Sequence, residues 1–260
     1  MTLLGGVIGI VLVAVILSMR PIGVIGGTYP SFEPYLPGAA SQSPGVPPLD
    51  AEGLFDSYQR LGRVRVGGVP ATLSVSRTDD LVLPTGRVIA TDPFFLDSPP
   101  FLIRLTPGSH PVMLLEVATS GSSRRVAAAM VRDGTADPVT WKPGRITDAG
   151  EPATAFAYAT DGGTGSFSSP EAIERFQRLS ELQIDDLFKR LADGFEATEL
   201  TSTVVLDPTT GANVVAFSSG FGDGSYASWF GFDAAGDPVA LLTSFDLIDS
   251  DQQPTGTSTP

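Results

Sequence analysis

Along most of the chain, short apolar runs are separated by clusters of Gly, Pro and Asp, the punctuation of a β-rich domain. The runs predict strands near Arg63 to Val66, Ala71 to Val75, Arg87 to Ala90, Val112 to Ala118, Val126 to Val131, Ala155 to Ala159, Thr201 to Leu206, Val214 to Ser218, Tyr226 to Phe232 and Val239 to Leu247. Tyr226 to Phe232 and Val239 to Leu242 flank Asp233-Ala234-Ala235-Gly236-Asp237, a spacing that predicts a hairpin. One helical stretch interrupts the pattern. It opens at Ser168 or Ser169 with Pro170 in the first turn and Glu171 placed for capping. Ile173, Phe176, Leu179 and Leu182 then recur at spacing three, and Ile184, Leu187, Phe188 and Leu191 at three and four, with Gly194 offering a stop. The stripe predicts one long helix laid over a sheet, and the change of spacing near Gln183 allows a break there.

The N-terminus follows a different pattern. Leu3 to Met19 carries no charge, and as a helix it would span about 25 Å, nearly the hydrocarbon core of a bilayer. No Lys or Arg precedes it and no small-residue cleavage pattern directly follows, so a transmembrane helix is favoured over a signal peptide. Arg20 is the basic residue beside the run, which by the positive-inside rule places the domain in the cytoplasm. Gly5 and Gly9 form a GxxxG pair of the kind that permits close helix approach. Pro30, Pro34, Pro37, Pro44, Pro47 and Pro48 make the next stretch a linker, and the polar end from Asp249 reads as a disordered tail. The expected organisation is an anchor over 1–27, a linker over 28–50, one globular domain over 51–248 and a tail over 249–260. The expected fold class is a β-rich α+β domain: antiparallel, sandwich-like sheets covered by one long helix and preceded by a single transmembrane helix.

Charge and composition narrow the chemistry. The 29 acidic residues against 16 Lys and Arg give a net charge of −13, which repels nucleic-acid phosphates and leaves nucleic acid outside the expected partners. The chain has no Cys, so disulfides, thiolate metal sites and a Cys nucleophile are excluded. His110 is the sole His, which removes every scheme needing two imidazoles. It lies in Pro107-Gly108-Ser109-His110-Pro111, read as a turn, where an isolated His is expected at the surface.

Gly and acidic residues concentrate in Asp161-Gly162-Gly163-Thr164-Gly165-Ser166 and in Gly220-Phe221-Gly222-Asp223-Gly224-Ser225-Tyr226. The first resembles a phosphate cradle, but it lacks the Lys-Ser/Thr ending of a P-loop and does not match GxGxxG, so a tight loop feeding a capped helix is preferred and no cofactor is expected. The second places Asp223 and Tyr226 at a strand end, where a carboxylate can ligate a cation or move a proton; Asp-Gly is equally a common turn pair. Asp92, in Asp92-Pro93-Phe94, closes a strand and adds a third carboxylate if these strand ends converge. Asp92, Asp161, Asp223 and Tyr226 are therefore the candidate site residues, with a metal left open. Asp233 to Asp237 lacks the spaced ligands of an EF-hand loop and reads as a turn.

The same residues resemble a mainly bacterial family known only as a domain of unknown function, over roughly Gly86 to Leu247. The likeness is carried by Gly86-Arg87-Val88-Ile89-Ala90-Thr91-Asp92-Pro93, by Pro107-Gly108 leading to Pro111-Val112, by Arg125 to Val131, by Asp161 to Phe167, and by Asn213 to Phe245. Its most specific element is a Ser-Gly-aromatic-Gly-Asp-Gly-x-Tyr run followed by an aromatic-Gly-aromatic-Asp strand and a terminal Asp-Phe. Phe221 stands where Trp is usual, Gly162 where Ala is usual, and Ser244 where Asp usually precedes the Phe. The resemblance implies one domain and no established activity. The residues favour a non-catalytic, membrane-tethered binding or interaction module, with the membrane contacted through residues 3–19 and a protein partner expected. The alternative is a carboxylate- or metal-dependent hydrolase using Asp92, Asp161 and Asp223.

Overall fold

Strands whose apolar residues run without interruption need cover on both faces, and the architecture supplies it. The computed structural model describes residues 50–120, 124–146 and 154–250, all within the larger of two compact units, Tyr35–Pro260. A curled antiparallel sheet runs in the order β1 (Arg63–Val66), β2 (Val69–Leu83), β4 (Gly108–Thr119), β5 (Arg125–Arg132), β14 (Pro238–Ser244), β13 (Gly224–Phe232) and β6 (Thr140–Pro143). The first residues of β13 also pair with β9 (Ala157–Thr160). A smaller sheet runs β11 (Thr201–Val205), β12 (Asn213–Ser218), β10 (Thr164–Ser168) and β3 (Ile89–Thr91). β7 (Arg145–Ile146) and β8 (Thr154–Ala155) form a two-stranded ribbon.

Period-two alternation divides each strand between two cores. Leu241 of β14, Val112 and Leu114 of β4, and Val215 and Phe217 of β12 meet between the sheets, together with Phe101, Phe167 and Phe230. Burial of each of these phenylalanines contributes roughly 2 kcal/mol or more. On the far face of the large sheet, Ala240, Leu242, Ala127 and Met130 pack against Leu54 and Phe55 of α1 (Ala51–Arg60). On the far face of the small sheet, Ile89, Val214 and Ala216 pack against Ala172 and Ile173 of α2 (Pro170–Phe176) and Leu187 and Leu191 of α3 (Glu181–Thr198). The layers are therefore helix, sheet, sheet, helix.

Several expectations need correction. The one long helix is two: α2 ends at Phe176 and α3 begins at Glu181, because the Gln183 side chain accepts from the N–H and the hydroxyl of Ser180 and starts a new helix there. The break allowed for near Gln183 falls just before it, over residues 177–180, and Gln183 opens the second helix. Gly194 does not stop α3, which continues to Thr198 and closes on Glu199 with φ +69. Gly194 is there because Ser202 of β11 crosses it, and a Cβ would stand 2.1 Å from Ser202 Oγ. Helix α1 was not expected; Asp50 caps it by accepting the Gly53 N–H at 2.8 Å.

The expected transmembrane helix, Leu3 to Met19, lies outside the described residues, and no helix among the described residues is long and apolar enough to cross a membrane. The helices seen are amphipathic, α3 exposing Lys189–Asp193 and Arg190–Asp186 ion pairs. The structure therefore gives no support to a spanning helix, and the single-pass membrane localisation that rested on it, with its cytoplasmic orientation, is withdrawn. Among the described residues the helical content is three short helices on a β-rich frame.

His110 is likewise not a surface turn residue. It lies inside β4, 3% exposed, with Nε2 2.8 Å from the Thr106 carbonyl oxygen and Nδ1 3.7 Å from Asp133 Oδ1. The hairpin of β13 and β14 is present. Asp233 Oδ1 holds its loop by accepting the N–H groups of Ala235 and Asp237 at 2.9 and 3.0 Å, so this segment is a turn. Asp249, read as the start of a tail, accepts the Gly67 and Gly68 N–H groups of the β1–β2 turn.

Candidate functional site

Asp92, Asp161 and Asp223 fall on three neighbouring loops. Asp92 follows β3, Asp161 lies between β9 and β10, and Asp223 lies between β12 and β13. Sheet pairing sets them side by side: β10 is flanked by β3 and β12, while β9 is paired to β13.

The Asp92 carboxylate is 3% exposed. Its Oδ1 accepts the Phe94 N–H at 2.9 Å, and Oδ2 accepts the Asp161 N–H at 3.0 Å. Its own carbonyl accepts the N–H groups of Phe95 and Leu96, closing a turn. Burial pushes the carboxyl up to about 6, with the charges of Asp161 and Asp97 adding to it and the two N–H bonds opposing.

Asp161 and Asp223 are exposed. Asp223 Oδ1 accepts the Gly163 N–H at 2.9 Å, and the Gly163 carbonyl accepts the Ser219 N–H at 2.9 Å, a two-way stitch between loops. Tyr226, on β13, does not meet Asp223 through a hydrogen bond. Its hydroxyl donates to the Gly222 carbonyl at 2.8 Å, an oxygen that also receives Ser219 Oγ at 2.8 Å and Thr160 Oγ1 at 3.4 Å. Burial, with the charges of Asp246 and Asp223, pushes the Tyr226 hydroxyl up to about 12.

Below the loops lies a chain of aromatic rings: Tyr158 meets Tyr226 at 6.5 Å, Tyr226 meets Phe245 at 4.9 Å, and Phe245 meets Phe217 at 5.9 Å. The Tyr158 hydroxyl is buried without a well-formed hydrogen bond, its one polar neighbour being the Thr243 hydroxyl, which pairs with Ser228 Oγ at 2.6 Å. Burial holds it well above the ordinary tyrosine range. Gly220, at the start of the second glycine cluster, has φ +55, and a Cβ there would stand 2.9 Å from Phe245 Cβ. Gly220, Tyr226 and Phe245 of the signature thus pack on one another, which gives those positions a structural role.

The glycine-rich segment at 161–166 is not an open cradle. Two of its N–H groups are taken by the carboxylates of Asp92 and Asp223, and from Thr164 it becomes a strand before α2 starts. Among the described residues, no group of three or more His, Asp or Glu is arranged to hold a metal ion. Ser219 is fully buried and its hydroxyl donates to the Gly222 carbonyl, so its proton is committed to the loop.

Sequence reasoning missed the outward face of these loops. Phe95 and Phe221 are 46% and 54% exposed. The Phe221 ring carries the Arg125 guanidinium at 5.1 Å, and Arg125 also donates to the Gly220 carbonyl. It also missed the buried Glu116, paired with Arg124 at 2.8 Å and hydrogen-bonded to Ser76. An aromatic between two glycines was the available signal for Phe221; nothing local marks Glu116.

Fold and site together define a β-rich domain, built on a curled antiparallel sheet with short helices packed on it, whose three loops are cross-stitched. The family model described as "Protein of unknown function (DUF4241)" matches residues 81–243, and the chain belongs to that family. No curated protein and no solved structure matches the chain.

Proposed function

We propose that the domain is a non-catalytic binding module that takes a protein partner on its loop end, around residues 92–97, 160–163 and 219–223. The observation that supports this reading is where the polar groups are directed. The carboxylates of Asp92 and Asp223, the Tyr226 hydroxyl and the Gly222 carbonyl are all engaged in holding loop to loop. Rigid loops present Phe95 and Phe221 to solvent at low entropic cost, the property of an aromatic anchor at an interface. Exposed Asp97, Asp161 and Asp223 surround them, so the complementary partner surface is cationic.

The test is capture from a lysate of the source cells on immobilised chain, comparing the native protein with a Phe95→Ser/Phe221→Ser double variant. A partner retained by the native protein and lost by the double variant is the expected result; equal capture by both removes the loop end from the reading. The carboxyl of Asp92, pushed by burial up to about 6, is the one observation that favours the hydrolase alternative. Turnover of ester or phosphoester substrates that disappears in Asp92→Asn would put that alternative first.

A further inference from the structure

We infer that Arg87 and Arg104 form a binding site for a phosphoryl anion, one oxyanion held between two guanidinium groups. Arg87 precedes β3 and Asp92 follows it, so the site lies at the other end of that strand and holds whether or not the loop end takes a partner.

The backbone sets the pair. Arg87 and Arg104 face each other in an isolated antiparallel bridge. Beside it the Leu105 N–H donates to the Gly86 carbonyl at 2.9 Å, which makes the two arginines a non-hydrogen-bonded pair, the kind whose side chains stand closest. Val88 and Leu105, their neighbours in sequence, belong to the core between the sheets, so alternation turns both arginines outward on one side. Arg104 is exposed and Arg87 half-buried. Gly86 lets the two segments come this close: its φ is +72, and a Cβ there would stand 2.0 Å from the Leu105 carbonyl oxygen.

Charge makes the pair a site. Like charges directly opposite one another destabilise paired strands. The chain has 29 acidic residues against 16 Lys and Arg, and Arg60, Arg77, Arg124, Arg132, Arg178 and Arg190 each meet a carboxylate. Among the described residues, Arg87 and Arg104 meet none. Glu171, in the first turn of α2, is held by Thr85, its Oε1 accepting from Thr85 Oγ1 at 2.7 Å, and pairs with neither arginine. An anion from solution therefore supplies the counter-charge that the chain does not. One guanidinium fork satisfies a carboxylate, whereas a phosphoryl group near pH 7 carries about −1.5 to −2 charge and three acceptor oxygens, which suits two forks. Free phosphate and a phosphomonoester share this chemistry.

The experiment is a titration of the full chain with sodium phosphate, and with sodium chloride at equal ionic strength, following the amide and Nε–H signals of Arg87 and Arg104 by NMR. Both arginines are expected to move on one saturating curve with phosphate and not with chloride. Arg87→Gln and Arg104→Gln should each weaken phosphate binding by about tenfold or more, the effect of losing a charge-assisted hydrogen bond. In low-salt buffer without phosphate, Arg104→Gln should melt above the native protein, since it removes the opposing charge, and it should lose the rise in melting temperature that phosphate gives the native chain. Glycerol 3-phosphate in place of phosphate separates the sources: tighter binding assigns the site to an esterified phosphate, and equal or weaker binding to the free ion. Equal shifts with chloride, separate curves for the two arginines, unchanged phosphate binding in both variants, or an Arg104→Gln protein that melts below the native one without phosphate would overturn the proposal.

Discussion

Asp223 accepts the N–H of Gly163 at 2.9 Å across 60 residues of chain, and the bond lies at the surface. Its role in the fold is set by the acceptor oxygen and owes nothing to the charge. Asp223→Asn keeps an oxygen for Gly163 and should be nearly neutral, whereas Asp223→Ala should cost about 1 kcal/mol. Thermal melts of the three proteins, with and without calcium or magnesium, check this. A cation-dependent rise in melting temperature that vanishes in the Asn variant would turn Asp223 from a stitch into a ligand.

Gly194→Ala in α3 sets helix propensity against packing. Propensity alone favours Ala by about 1 kcal/mol. The added Cβ would meet Ser202 Oγ at 2.1 Å, Cβ at 2.8 Å and Cα at 3.2 Å; rotating the hydroxyl relieves the first, and the other two need a shift of helix or strand. Overpacking of this kind costs roughly 1–3 kcal/mol, so the variant should be net destabilised in urea. Glu199→Gly, at the exposed C-cap with φ +69, should instead stabilise by about 1 kcal/mol.

Tyr158→Phe and Tyr226→Phe remove the same atom from two packed rings with opposite expected effects. The Tyr158 hydroxyl is buried with no well-formed hydrogen bond beyond its contact with Thr243, so its loss should be neutral or stabilising by up to about 1 kcal/mol. The Tyr226 hydroxyl is the shortest tie of β13 to the Gly222 carbonyl along with Ser219 Oγ, and its loss should cost about 1 kcal/mol. Chemical denaturation of both variants distinguishes them, and equal losses would mean that Tyr158 has a partner.

Asp92 makes global stability pH-dependent in the direction opposite to a salt-bridged carboxylate. Its folded value of about 6 lies above the ordinary 3.8, so between these values the native state binds more protons than the unfolded state. Its contribution is present in full below about pH 4 and is lost as pH rises through 6, an upper bound of about 3 kcal/mol. Urea titrations across this window should show the native protein losing stability relative to Asp92→Asn; parallel curves would contradict the assignment.

What could be read locally was read correctly where local chemistry decides. The β13–β14 hairpin follows from two apolar runs around Asp233 and Gly236, and the start of α2 follows from Ser169 and Pro170. The break between α2 and α3 was also written locally, in Ser180 and Gln183 and in the change of apolar spacing there, although the apolar stripe continues across it. Residues 164–168 read as a loop because Gly165 and three hydroxyl residues dilute the apolar signal. They form a buried central strand because β3 and β12 supply partners on both edges.

The sequence by itself determined that the protein is β-rich and acidic, which segments alternate toward a core, and which residues belong to the shared signature, since periodicity, charge and turn chemistry are properties of neighbouring residues. Only the tertiary structure decided what the aspartates touch. Asp92 reaches Asp161 and Asp223 reaches Gly163 across 69 and 60 residues, distances over which no local pattern carries information. The burial that raises the Asp92 carboxyl and the exposure that leaves Phe221 in solvent both arise from packing two sheets and their helices, because burial belongs to the assembled layers and to no single segment.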